Sequence, residues 1–204
     1  KEKARKDLKT IVLPEATDVR VLTATETATK EGYANVILVG ELQEVENIAK
    51  ENNIDISKAT IVDPKTFDKT NEYIEAFYEL RKAKGMTIEQ ARETLKHNIY
   101  FGTMMVKMGD ADGLVAGSVC STSDTLRPAL QILKTAPGVK LVSAFFLMNV
   151  PNCEYGENGM FIFSDSGLNV NPNADELSEI AISSAKTWKL LTQTEPKVAM
   201  LSYS

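Results

Sequence analysis

Three short apolar runs, each closed by a turn residue and separated by helix-patterned stretches, set the tightest limit on what this chain can fold into. Thr10-Ile-Val-Leu-Pro14 ends at a proline. Asp18 then offers an N-cap to a helix over 19–30 that stops at Gly32. Asn35-Val-Ile-Leu-Val-Gly40 repeats the strand pattern, a helix follows over about 41–51, and Ala59-Thr-Ile-Val62 is closed by Asp63-Pro64. Strands separated by whole helices cannot pair through tight turns. They pair in parallel, with the helices covering the faces of the sheet, so an α/β architecture is expected.

The rest of the chain extends this plan and then departs from it. Two helices are expected over 71–84 and 87–108, separated by Gly85. The first carries Tyr73, Ile74, Phe77, Tyr78 and Arg81 at spacings of three and four, an apolar stripe with a cation beside it. Asp112-Gly-Leu-Val-Ala-Gly117 reads as a fourth strand, followed by a polar loop and a helix over about 123–134. Beyond Ala136-Pro-Gly138 two apolar runs, 141–150 and 160–164, flank a short loop and read as an antiparallel pair. A long helix over 174–192 and a strand over 198–201 complete the pattern. We therefore expect a first α/β domain over 1–138 and the beginning of a second over 139–204, with sheets of mixed parallel and antiparallel type. An apolar strand normally continues into a loop that covers it. The run at 198–201 therefore raises the expectation that this is a piece of a longer protein whose second domain is incomplete here.

Charge and cysteine content narrow the chemistry. With 23 Lys and Arg against 28 Asp and Glu the net charge is −5, so bulk nucleic acid and acidic membrane are unexpected partners and an anionic ligand needs a local cationic site. Two cysteines and one histidine, His97, cannot build a four-ligand zinc site. Two thiols are also too few for a disulfide framework, which suits a cytoplasmic protein. No apolar run approaches the roughly 18 residues that a membrane span needs.

The most suggestive stretch is Gly117-Ser-Val-Cys-Ser-Thr-Ser-Asp-Thr-Leu-Arg-Pro128. Backbone amides at a helix start, the hydroxyls of Ser121, Ser123 and Thr125, and the guanidinium of Arg127 form a set that holds phosphate without a metal. The same residues serve equally well as a capped helix, with Ser123 or Asp124 as cap and Arg127 in a surface ion pair. No Gly-x-Gly-x-x-Gly and no Gly-x-x-x-x-Gly-Lys-Ser/Thr occurs, so neither a dinucleotide fold nor a P-loop is supported. Cys120, near a helix start, has a nucleophile's position, but no histidine lies close in sequence to serve it. A passive thiol is the better reading for it and for Cys153. His97, inside the expected long helix, receives no role. Asp165, after an apolar strand in Phe163-Ser-Asp-Ser-Gly167, reads equally as a ligand-facing acid or a turn former.

As a set these stretches resemble the phosphate acetyltransferases, with the phosphate butyryltransferases as near relatives. The matching blocks are Leu13-Pro-Glu-Ala-Thr-Asp-Val-Arg20, Ile61-Val-Asp-Pro-Lys65, Phe77-Tyr-Glu-Leu-Arg-Lys82, Ser123-Asp-Thr-Leu-Arg-Pro128, Val150-Pro-Asn-Cys-Glu-Tyr-Gly156, Phe163-Ser-Asp-Ser-Gly167 and Lys197-Val-Ala-Met-Leu-Ser-Tyr-Ser204, in family order along the chain. The resemblance implies two α/β domains facing across a cleft, similar in architecture to the isocitrate dehydrogenase group, usually in a homodimer. It implies reversible acetyl transfer between coenzyme A and inorganic phosphate, with acetyl-CoA, phosphate and acetyl phosphate as substrates and no resident cofactor or metal. Arg81 and Arg127 are then cleft cations, Ser121, Ser123 and Thr125 are donors beside them, and Cys153 lies near the site without acting as a nucleophile. Asp165 is expected near the site too. The family's Ser-Arg pair and the acid thought to take the thiol proton lie beyond Ser204, so the general base is not expected within this chain. Two other readings stay open: butyryl transfer, and a non-catalytic module that binds acetyl-CoA or acetyl phosphate.

Overall fold

A computed structural model describes residues 1–201. The chain divides into two compact units, Lys1–Lys134 and the segment from Thr135 onward.

The first unit is built on a four-stranded parallel sheet. A short helix α1 (Glu2–Lys6) precedes β1 (Thr10–Leu13), α2 (Val19–Lys30), β2 (Asn35–Val39), α3 (Leu42–Glu51) and β3 (Thr60–Val62). Then come α4 (Thr70–Arg81) with a 3₁₀ turn at Lys82–Lys84, α5 (Ile88–Thr94), α6 (Asn98–Met108), β4 (Gly113–Leu114) and α7 (Thr122–Pro128), which runs into a π turn at Ala129–Leu133. The strand order is β3-β2-β1-β4, all parallel, with Thr10 opposite Asn35, Ile11 opposite Gly113 and Ile37 opposite Thr60.

Both faces of the sheet are covered, as the near-continuous apolar strands require. On β2 the period of two sends Val36 and Leu38 to a layer formed with Leu22 of α2 and Val45 and Ala49 of α3. Val39 joins Val12 and Val62 in the opposite layer, where Tyr73, Phe77, Phe101 and Met104 of α4 and α6 are buried. Gly102 permits this second layer to come close. A Cβ there would lie 2.8 Å from Val12 Cγ1 and 3.0 Å from Leu114 Cδ1, so α6 sits on the sheet with no room for a methyl group.

Asp18 caps α2 as expected, its carboxylate accepting from the Arg20 amide at 2.8 Å. The expected helix over 87–108 is instead two helices, broken at 95–97, and His97 is the N-cap position of α6, not a mid-helix residue. The break lets α6 restart where Asn98 Nδ2 donates to the Val39 carbonyl at 3.0 Å. The fourth strand shrinks to Gly113–Leu114, because only these two residues pair with β1 before the chain turns away.

The second unit holds an antiparallel pair, β5 (Phe145–Asn149) and β6 (Met160–Ser164), with Phe145 opposite Ser164. It also holds α8 (Ala174–Thr192), whose N-cap Asn173 and Glu176 form a capping box. Ser164 Oγ lies 2.5 Å from Ser184 Oγ, tying β6 to α8. The strand expected over 198–201 makes no pairing among the described residues. Val198 and Met200 border an open apolar groove with Leu177, Ala181 and Ile182, and the run stays largely exposed. The two sheets, one parallel and one antiparallel, make the chain an α/β protein of mixed type.

Candidate functional site

In an open parallel sheet ligands gather outside the carboxyl ends of the strands, where the connections diverge. Here that point lies between β1 and β4. From β1 the chain proceeds to β2 and β3 on one side, and β4 closes the other. The loops that leave these two neighbouring strands, 14–18 and 115–121, meet there.

They meet around a carboxylate. Glu15, 7% exposed, accepts from the Gly117 and Ser118 amides through Oε2 at 2.8 and 2.9 Å, and from the Val119 and Cys120 amides through Oε1, both at 2.7 Å. Gly117, at φ +113°, turns the backbone so that successive amides converge on one point. Burial pushes the Glu15 pKa up, but the four amides outweigh it and bring it down to about 2. The amides of 117–120, which lie just ahead of the helix start singled out in the sequence, therefore hold an anion that is the protein's own.

The hydroxyls beyond the loop bring a correction to the expected cap. The cap of α7 is Ser121, not Ser123 or Asp124. Its Oγ accepts from the Asp124 amide at 3.2 Å, donates to Asp124 Oδ2 at 2.6 Å and lies 2.9 Å from Ser123 Oγ. The Thr125 hydroxyl turns back to the Ser121 carbonyl at 3.2 Å. Arg127 stands in the last turn of this helix.

Arg81 closes α4, and its Nε is buried without a hydrogen-bond partner. It borders an open groove of about 440 Å³ with Lys84, Gly85, Met86, Gln90 and Thr94. Neither Arg81 nor Arg127 forms an ion pair among the described residues, so the surface-pair reading of Arg127 has no partner there. Both act on Tyr100 of α6. Burial raises the pKa of its phenol, the charges of Arg127 and Arg81 lower it, Asp124 raises it, and the net direction is upward. The Tyr100 hydroxyl donates to Gln131 Oε1 at 3.2 Å while its ring lies 5.9 Å from Phe77. The charges of Arg81, Arg127 and Asp124 are thus all felt at one tyrosine.

The thiol of Cys120 has its pKa raised by burial and by the nearby Glu15 carboxylate, the opposite of an activated nucleophile. Cys153 lies in the β5–β6 loop of the second unit, its Sγ 4.0 Å from the Tyr155 carbonyl oxygen. Asp165, just after β6, has φ +58°, a left-handed conformation that Asp adopts in turns, and the Ser166 hydroxyl donates back to the Phe163 carbonyl at 3.1 Å.

Sequence reasoning missed Glu15 and Tyr100. Glu15 had a signal, an acid directly after a proline-closed strand, at the sheet edge where ligands gather. Tyr100, inside an apolar helix, had none. Among the described residues no three His, Cys, Asp or Glu side chains cluster as a metal would need, and no helix is long and apolar enough to cross a membrane.

Fold and site together define a class: a parallel α/β sheet covered on both faces, with polar loops meeting at the carboxyl ends of β1 and β4. The comparisons with known proteins are more particular. Residues 1–204 match the family described as phosphate acetyl/butaryl transferase, and the chain belongs to that family. The phosphate acetyltransferase of Acetivibrio thermocellus is 57% identical over 203 residues, covering 100% of this chain and 60% of that protein. That of Thermoanaerobacterium thermosaccharolyticum is 56% identical over 203 residues, covering 100% of this chain and 61% of that protein. Among solved structures, a phosphotransacetylase from Streptococcus pyogenes superposes with a TM-score of 0.90 at 41% identity, over 100% of this chain and 60% of that one. The EutD phosphotransacetylase from Staphylococcus aureus does so with 0.88 at 42%, over 100% and 59%. The chain therefore spans about three fifths of the length of these relatives.

Proposed function

We propose that this chain carries one part of a site at which an acetyl group passes reversibly between coenzyme A and inorganic phosphate. The observation that carries the reading is the pair of guanidinium groups with no carboxylate partner among the described residues, Arg81 with its buried, unpartnered Nε and Arg127 in the last turn of the hydroxyl-bearing helix α7, taken together with family membership. Both reactants are anions, and guanidinium forks offset their repulsion while matching phosphate geometry.

In the direction of acetyl-CoA synthesis the coenzyme A thiolate attacks the carbonyl carbon of acetyl phosphate. A carbon–sulfur bond forms, the carbon–oxygen bond to phosphate breaks, and phosphate leaves with the bonding pair, without an acyl-enzyme. Ser121, Ser123 and Thr125 become donors to the oxygens of the reacting groups by exchanging bonds they make within the chain, the Ser121 proton leaving Asp124 and the Thr125 proton leaving the Ser121 carbonyl. Cys153 and Asp165 lie near the completed site, the group that takes the thiol proton lies outside residues 1–204, and the second α/β unit is incomplete within them, as in a fold like that of the isocitrate dehydrogenase group. Coenzyme A is a substrate, and the working protein is a cytoplasmic homodimer with no nucleic-acid or membrane partner.

The test is phosphate-dependent release of coenzyme A from acetyl-CoA, by the intact protein and by a polypeptide limited to residues 1–204. Turnover by the first and none by the second is expected. Affinity for acetyl-CoA without release would replace the enzyme by a binding module. The family description includes the longer acyl chain, so butyryl-CoA is run in parallel, and faster turnover of it would replace acetyl by butyryl.

A further inference from the structure

The ring of amides at 117–120 is the kind of concavity in which proteins bind small oxyanions, and here Glu15 fills it from a position 102 to 105 residues earlier in the chain. The attachment is reinforced on its outer side. Asp18 Oδ2 accepts from the Ser118 hydroxyl at 3.0 Å and from the Arg20 guanidinium at 2.5 Å, and that guanidinium also donates to the Ser118 carbonyl at 2.9 Å. Cys120, the last residue of the ring, is followed at once by Ser121, the cap of α7. With no spare residue between them, the placement of Ser121, Ser123, Thr125 and Arg127 is inherited from the ring.

We propose that Glu15 is a positioning residue of this site: a permanent internal anion that fixes the start of α7 and closes the loop amides to substrate phosphate, directing it to Arg127 and Arg81. The inference rests on the acetyl-transfer reading above. Four short amide bonds keep the carboxylate ionised across the range in which enzymes work, so the ring never empties by protonation.

The experiment is coenzyme A release by the intact protein and by Glu15→Ala, with and without added formate or formamide. Glu15→Ala is expected to lose about 10- to 100-fold in kcat/KM for phosphate, the scale of a misplacement near 1 Å. Formate, small enough to enter the vacated ring, is expected to restore activity saturably. Its neutral isostere formamide is not, and the wild type responds to neither. A residue needed only for folding would not show this charge-selective rescue. An inactive wild type refutes the acetyl-transfer reading and this inference with it. An active wild type with Glu15→Ala unchanged, or impaired but indifferent to formate, refutes the inference alone. Where Glu15→Ala does not fold, Arg20→Gln decides, because its side chain is 71% exposed and dispensable for the core. A loss of about 2- to 10-fold in the same constant is expected from the lost bond to Ser118, and wild-type kinetics would overturn the proposal.

Discussion

Replacing Glu15 by Gln should destabilise the first unit at neutral pH, by an amount that shrinks as the solution is acidified. The folded carboxyl lies at about 2 against an ordinary value of 4.5, because the four amide donors outweigh the penalty of burial. A difference of about 2.5 pH units, at 1.36 kcal/mol each, comes to about 3 kcal/mol. Since the folded value is the lower one, this stabilisation is complete above 4.5 and lost as pH falls through about 2. Integration leaves about 1.4 kcal/mol at pH 3, so the gap between wild type and variant should narrow by about 2 kcal/mol between pH 7 and pH 3. Gln keeps the shape but can accept only through its carbonyl, and its NH₂ group then faces amide donors that have no other partner. Asp18, held low first by its bond to Arg20, also loses its contribution in acid, but it does so in both proteins and cancels in the comparison. Urea unfolding followed by far-ultraviolet circular dichroism gives the two gaps. Trp188 is a poor probe, since it lies in α8 of the second unit. Hydrogen exchange over 113–121 localises the effect, with the amides of 117–120 all protected in the wild type and the pair facing the Gln NH₂ group open in the variant. A gap that is independent of pH, or below about 1 kcal/mol at pH 7, would refute the assignment of the stabilisation to an ionised carboxylate.

Other substitutions test other parts of the structure. Gly102→Ala should cost about 1 to 3 kcal/mol in thermal unfolding, because its Cβ would press on Val12 and Leu114 across the α6–sheet contact; unchanged stability would mean that α6 stands further off. Arg127→Lys keeps the charge and loses the fork, and should cost about 1.5 to 3 kcal/mol in apparent kcat/KM for acetyl transfer; wild-type kinetics would remove Arg127 from the site. Cys120→Ala and Cys153→Ala should each leave turnover within about tenfold, and Cys120 should alkylate more slowly at a given pH than an unhindered thiol because its pKa is raised. An acetyl group trapped on either sulfur during turnover would contradict direct attack by coenzyme A.

How far such a site can be read from sequence depends on how local its causes are. The strands at 10–13 and 35–39, the cap at Asp18 and the long helix Ala174–Thr192 were legible because each is decided by neighbours: an apolar period, a capping acid, a stop residue. The break at 95–97 has no proline or glycine to mark it. It follows from tertiary demands, with Leu95 buried at the end of α5 while α6 must restart so that Gly102 lies against Val12. The shortening of β4 is likewise imposed from outside, because beyond Leu114 the chain leaves the sheet to deliver its amides to Glu15. The loop at 117–128 shows the division most clearly. Its glycine, hydroxyls and following helix marked a polar helix start that could serve as a phosphate site or as a cap, and the amides that hold an anion, 117–120, lie just ahead of it. Which anion was decided by a side chain more than a hundred residues away. An acid after the first strand and a glycine-led loop after the fourth carry no sequence relation to each other until the order β2-β1-β4 makes them neighbours. Once it does, the carboxylate outcompetes any free phosphate for those amides, because it is tethered beside them and forgoes no translational entropy on binding. Arg81, with its unpartnered Nε, and Arg127, in the last turn of α7, pair with no carboxylate among the described residues and so keep capacity for a second anion.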